Sequence, residues 1–223
     1  MKSKILVPVI FIAVFALSRI PELMPQNFSV VYAFVFCAGV FFPRTLVWWL
    51  PLATIFATDI GLNFYYQHKY PGEDVWSAAN LANLAFNYAA YLVLLVLGRT
   101  FKPKDSLVKL VSGGLLGAIL FYLITNTASW LFNPFNNPEY TKTIAGWIIA
   151  LTKGTGGYPT TLEFFRNTLL SGGIFTALLA AAAKYTAESP ADKKAGQREN
   201  EAGSEAGSEA KGKPEAEPEE ASA

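Results

Sequence analysis

The residues best suited to chemistry in this chain are a lone acid, two arginines and a set of asparagines, all embedded in apolar sequence. Asp59 stands in LATIFATDIGLNFYY, and Asn63 follows it at i+4 on the same helical face. Arg19 ends the first apolar run, Asn126 lies in LITNTASW, and Arg166 and Asn167 lie in EFFRNTLL. Ser77, Asn80, Asn83 and Asn87 are spaced three, three and four residues apart, which aligns them along one face of a helix. Charges within a membrane are costly and mark paired structural groups, ligand sites or ion paths. All three readings fit this set. In the first, Asp59 pairs with an arginine and locks helices together. In the second, Arg19, Asp59, Asn63, Asn80, Asn83, Asn126 and Arg166 form a ligand-binding site. The arginines would then hold an anionic group, Asp59 an amine or the arginines themselves, and the asparagines would supply neutral hydrogen bonds. In the third, the acid relays an ion or proton. A ligand site can also incorporate a structural pair.

Catalytic constellations are missing from the sequence. His68 is the single histidine and Cys37 the single cysteine, which removes His-pair and cysteine metal motifs and any intrachain disulfide. HExxH and GxSxG do not occur. KGTGGYP is glycine-rich but lacks the closing GK[ST] and the strand–loop–helix setting of a phosphate-binding loop. Asp59 has no second carboxylate within an apolar run with which to form a dyad. Glu163, three residues before Arg166, reads as its partner on a helix end. No catalytic residue, metal or cofactor is expected, and the chain does not read as an enzyme.

The elements that must position these side chains follow from composition. The chain has 223 residues, of which 52% are hydrophobic and 16% charged, with a mean hydropathy of +0.29. Soluble domains are roughly 25% charged. The apolar excess is uneven, because residues 187–223 contain no Val, Ile, Leu, Phe, Trp or Tyr. Residues 1–185 therefore read as an integral membrane domain, and 186–223 as an acidic low-complexity tail with an EAGS repeat. Such a tail buries too little apolar surface to offset ordering entropy and is expected to be disordered, as a tether or a dock for a basic partner. A soluble enzyme, a nucleic-acid binder and a disulfide-stapled domain are all disfavoured.

A span needs about 20 mostly apolar residues. Six candidates appear: Ile5–Leu17, Val30–Phe42, Leu46–Phe64, Ala78–Leu97, Leu107–Trp130 and Phe164–Ala183. Thr143–Leu151 is apolar but short, which suits a re-entrant or interfacial piece. The first run, after Lys2 and Lys4 and ending in Ala16-Leu17-Ser18, also reads as a secretory signal peptide. With the N-terminus cytoplasmic, Lys2, Lys4, Arg44, Arg99, Lys102, Lys104, Lys109 and Lys184 fall inside, and Arg19, Lys69, Lys142, Lys153 and Arg166 outside. This bias favours both termini in the cytoplasm. Trp76, Trp130 and Trp147 then lie near one interface, and Trp48 and Trp49 near the other, as in an aromatic belt. The same topology brings the polar residues of different helices to the outer half of the bilayer, beneath the long loop Asn133–Thr161, which reads as a lid. Gly113 and Gly117 form a GxxxG, and SGG recurs at Ser112 and Ser171; small residues permit close helix packing, within the chain or with a partner subunit.

The order of features resembles a six-span bacterial membrane family known as a domain of unknown function. Its marks are an arginine after the first span, PQNFS entering the second, an LPLATIFATD-like third span, an LITNTASWL-like fifth and a final FFRNTLLSGGIFTALL. The layout is also similar to the substrate-binding S components of energy-coupling-factor transporters, six-helix proteins with a site near the outer face. That resemblance implies that Asp59, Asn126 and Arg166 contact a ligand. In the first helix, IFIAVFALS places Ala13 and Ala16 three apart, where S components carry an AxxxA for docking their coupling subunit. The expectation is an all-α polytopic bundle of about six transmembrane helices in a bacterial inner membrane. It would act as a small-molecule binding or uptake component or, alternatively, as an accessory subunit of a membrane complex.

Overall fold

The computed structural model describes residues 2–187, with side chains from 5 to 186. Every regular element among the described residues is a helix: α1 (Lys2–Ser18), α2 (Val31–Phe41), α3 (Arg44–Val47), α4 (Leu50–Lys69), α5 (Ala78–Arg99), α6 (Leu107–Phe132), α7 (Ile144–Thr152) and α8 (Thr161–Ala187). The expected acidic tail, from residue 188 onward, lies outside the described residues.

Local sequence sets these boundaries. Ser77 caps α5 by accepting from the Asn80 amide at 3.3 Å, Ser106 caps α6 through the Lys109 amide at 3.2 Å, and Thr143 caps α7 through the Gly146 amide at 3.1 Å. At α8, Thr160 and Glu163 form a capping box. The Glu163 carboxylate accepts from the Thr160 amide at 2.7 Å, and the Thr160 hydroxyl accepts from the Glu163 amide at 3.3 Å. The carboxylate expected to pair with Arg166 is therefore turned to the helix end. Asn133 ends α6 with φ of 42°, in the left-handed region that asparagine tolerates.

Four segments are long and apolar enough to cross a membrane: Arg44–Lys69, Ala78–Arg99, Leu107–Phe132 and Thr161–Thr186. They match four of the six expected spans, and the protein is a polytopic helical membrane protein. The first two expected spans are shorter. α1, with 17 residues, extends about 26 Å, and α2, with 11, about 16 Å, against a hydrocarbon core of roughly 30 Å. The apolarity of Val30–Phe42 has another cause. Every residue from Val31 to Val40 is buried, because α2 runs through the middle of the bundle against α5, α6, α1 and α4. A helix apolar on all sides is a buried one, whatever its length.

α2 and α5 touch backbone to backbone. A Cβ on Gly98 would lie 2.2 Å from the Phe36 carbonyl oxygen, and one on Gly39 2.5 Å from that of Leu95. Arg99 then donates to the Gly39 carbonyl at 3.3 Å, satisfying an end of α2 that has no further turn to bond to. The glycines of α6 also pack internally. A Cβ on Gly113 would strike the Phe36 and Phe101 rings, and one on Gly114 would strike Thr176 of α8.

The short apolar piece expected near Thr143–Leu151 is α7, held against α6. Trp147 Nε1 donates to Thr127 Oγ1 at 3.0 Å, and the Tyr122 hydroxyl donates to the Leu151 carbonyl. The connection after Asn133 is thus not structureless. The outer faces of the long helices remain apolar and uncovered, as at Phe56, Val96, Leu116 and Leu178, which suits contact with lipid.

Candidate functional site

One end of the bundle gathers the C-terminal turns of α1, α4 and α6 and the N-terminal turns of α2, α5 and α8. A cavity of about 1020 Å³ opens among them. Its floor and walls carry Tyr32 and Tyr91, Asn63 and Tyr66 of α4, Asn80, Asn83 and Asn87 of α5, Tyr122, Thr125 and Asn126 of α6, and Phe164, Phe165 and Thr168 of α8. The α1–α2 loop, residues 18–29, supplies the remaining side from Ser18 to Ser29, and Tyr70, Glu73 and Val75 stand at the rim.

The loop is fixed at three points. Arg19 forms an ion pair with Asp59 of α4 through its Nη2. Glu22, with φ of 65°, pairs with Lys69 at the end of α4. Asn167 of α8 donates its amide to the Gln26 carbonyl at 2.9 Å. A left-handed glutamate is uncommon.

Asp59 is buried, and its second oxygen accepts from the Tyr88 hydroxyl at 3.0 Å. The carboxylate thus has a charged partner on one oxygen and a neutral donor on the other. It does not itself line the cavity, whereas Arg19 does. The Arg19 Nε is buried and bonds to nothing among the described residues.

The amides differ from the charges in being unspent. The side chains of Asn63, Asn83 and Asn87 make no hydrogen bond among the described residues, and Asn126 uses only its Nδ2, on the Tyr122 carbonyl at 2.8 Å. Asn80, at the rim, donates to the Asp74 carbonyl at 2.9 Å. Aromatic surface lies beside them. Tyr122 and Phe165 stack at 4.2 Å between ring centres, and Tyr91 and Phe121 at 5.4 Å.

Of the site residues expected from sequence, Arg19, Asn63, Asn80, Asn83 and Asn126 meet on the cavity. Asp59 stands behind the wall as the partner of Arg19. Arg166 is exposed and off the cavity, because the first two turns of α8 present Phe164, Phe165 and Thr168 inward instead. The expected lid is displaced too: of the loop Asn133–Thr161 only Thr161 reaches the cavity, and the α1–α2 loop takes the covering role. Sequence reasoning placed Asn87 on the right face but missed Tyr88, Tyr91 and Tyr122. A tyrosine in an apolar helix carries no spacing signal of its own. No group of three or more His, Cys, Asp or Glu side chains lies together among the described residues.

The model of a family of unknown function matches residues 1–194 of the chain. No curated protein and no solved structure matches it significantly.

Proposed function

The chain belongs to DUF6580, a family of unknown function, and we propose its role from the cavity: a membrane-embedded protein that binds a small molecule for uptake. The single observation that carries this reading is a roomy, polar-lined hollow at one end of a membrane bundle, on whose wall the Asn63, Asn83 and Asn87 amides make no hydrogen bond among the described residues. Buried or half-buried polar groups are normally paired in the protein, and unspent amides facing open space are free to meet a ligand. The volume lies at the upper end of the usual range for small-molecule pockets. Arg19, Asn63, Asn80, Asn83 and Asn126 are the proposed contacts, with Asp59 holding Arg19 in place. The unspent groups on the wall are amides suited to holding a ligand, so binding is the role proposed.

In this reading the lysine and arginine bias favours a cavity on the outer side of a bacterial inner membrane, with the N-terminus inside. Capture from outside followed by hand-over to another membrane subunit, as in S components, is consistent with this placement. In the accessory-subunit reading the contact would fall to the exposed apolar and aromatic faces, because Gly113 faces Phe36 and Phe101 of its own chain.

Native mass spectrometry of the full chain taken from its own membrane into nanodiscs tests the proposal. A co-purifying small molecule is expected, with occupancy falling about tenfold in Asn83→Leu/Asn126→Leu, which fills the hollow with apolar volume. A bare mass in both wild type and variant overturns it.

A further inference from the structure

The charges around the cavity are cancelled in pairs. Arg19 is bound to Asp59 and Glu22 to Lys69, while Arg166 lies elsewhere. Glu73, at the exposed rim, has no ion-pair partner among the described residues. An anion entering here would meet a guanidinium whose charge is already countered by the Asp59 carboxylate, with the Glu22 and Glu73 carboxylates also on the lining. The groups left to recognise a ligand include the amides of Asn63, Asn83 and Asn87, the Asn126 oxygen and the buried Arg19 Nε–H, which has no partner among the described residues. Each free amide offers a donor and an acceptor side by side. The surfaces beside them are flat rings, Tyr122 on Phe165 and Tyr91 on Phe121. Rings of this kind favour offset or edge contact with another ring.

Building on the binding role, we propose that the cavity takes an uncharged planar nitrogen heterocycle whose edge carries both hydrogen-bond donors and acceptors. Its ring lies against the aromatic walls and its edge meets Asn83, Asn87 and Asn126. The lack of negative charge is the selective feature: an anionic substituent would compete with Asp59 for Arg19 and face the Glu73 carboxylate.

Matched probes separate ring from charge. Adenosine and adenosine 5′-monophosphate share the base and differ in the phosphate. Each is titrated into the full chain in nanodiscs by calorimetry, and the small molecules released from protein taken from its own membrane are identified by mass spectrometry. Adenosine is expected to bind about tenfold or more tighter than the monophosphate, with Asn83→Leu/Asn87→Leu weakening it about tenfold at an unchanged unfolding midpoint. A neutral heterocycle in the released fraction supports the proposal equally. Tighter binding of the monophosphate, or a released anion whose occupancy depends on Arg19, overturns the neutral class while leaving the binding role intact. No response to either probe together with an empty or lipid-only released fraction overturns the binding role itself.

Discussion

Asp59 has two partners of different kinds, and removing them one at a time separates charge from geometry. Asp59→Asn leaves Arg19 partly buried with no counter-charge, and is expected to cost on the order of 1–3 kcal/mol. Tyr88→Phe removes one neutral donor and is expected to cost about 1 kcal/mol. The double change Arg19→Met/Asp59→Leu removes both charges and is expected to recover most of the Asp59→Asn loss. Thermal unfolding in one detergent of these proteins together with Arg19→Met and Asp59→Leu measures this, and full additivity of Arg19→Met and Asp59→Leu in the double change would show that the pair is not coupled. That Asp59 pairs with an arginine was legible in the sequence as one of three readings. Which arginine was not, because Arg19 and Arg166 have the same expected depth and only the facing of α8 separates them. Tyr88 was invisible, since nothing in AFNYAAYLV marks one tyrosine as the partner of an acid 29 residues earlier.

At the scale of elements, the tightest joint is the α2–α5 crossing, where two backbones meet at Gly39 and Gly98. Gly98→Ala is expected to push α2 off α5 and to lower stability by about 1–3 kcal/mol, as overpacking does. Gly61→Ala is the control, because a Cβ there meets nothing within 4 Å. It is expected to be neutral or slightly stabilising, since alanine favours a helix by up to about 1 kcal/mol over glycine. Unfolding midpoints of both variants decide the matter, and equal effects would sever the joint from stability. The GxxxG of α6 was readable from its spacing, but this joint was not: its glycines sit alone in two helices. The turn between α5 and α6 carries a pH dependence. The Lys102 backbone amide at 2.9 Å and the Lys109 ammonium at 3.0 Å hold the Asp105 carboxyl below its usual range. A depressed folded value means that this contribution is complete above the usual aspartate range and is lost as pH falls through and below it. Asp105→Asn is expected to flatten that part of the acid limb of a midpoint-versus-pH curve, and an unchanged acid limb would count against it. The legible elements were the long ones with caps, as with Ser77 and Ser106. α2 is shorter than the four segments long enough to cross, and its uniform apolarity reports burial, which a protein interior and a bilayer both supply.

For the molecule as a whole, the account depends on the cavity being an aqueous recess open to one side of the membrane. Alternation of helix direction already placed the polar residues of separate helices at one end, so that much was contained in the sequence. What covers them was not, because the choice between the α1–α2 loop and the longer loop after Asn133 is made by tertiary contacts such as Asn167 on Gln26. The native chain is well suited to a direct test: Cys37 is its single cysteine and is fully buried in α2. Asn83→Cys places a thiol on the cavity wall. The decisive measurement is labelling of Asn83→Cys in intact cells by a membrane-impermeant maleimide, with the native chain as background. The account predicts rapid labelling of the variant from outside and none of Cys37. Labelling of Asn83→Cys only after the membrane is opened, or only after the protein is unfolded, would contradict it.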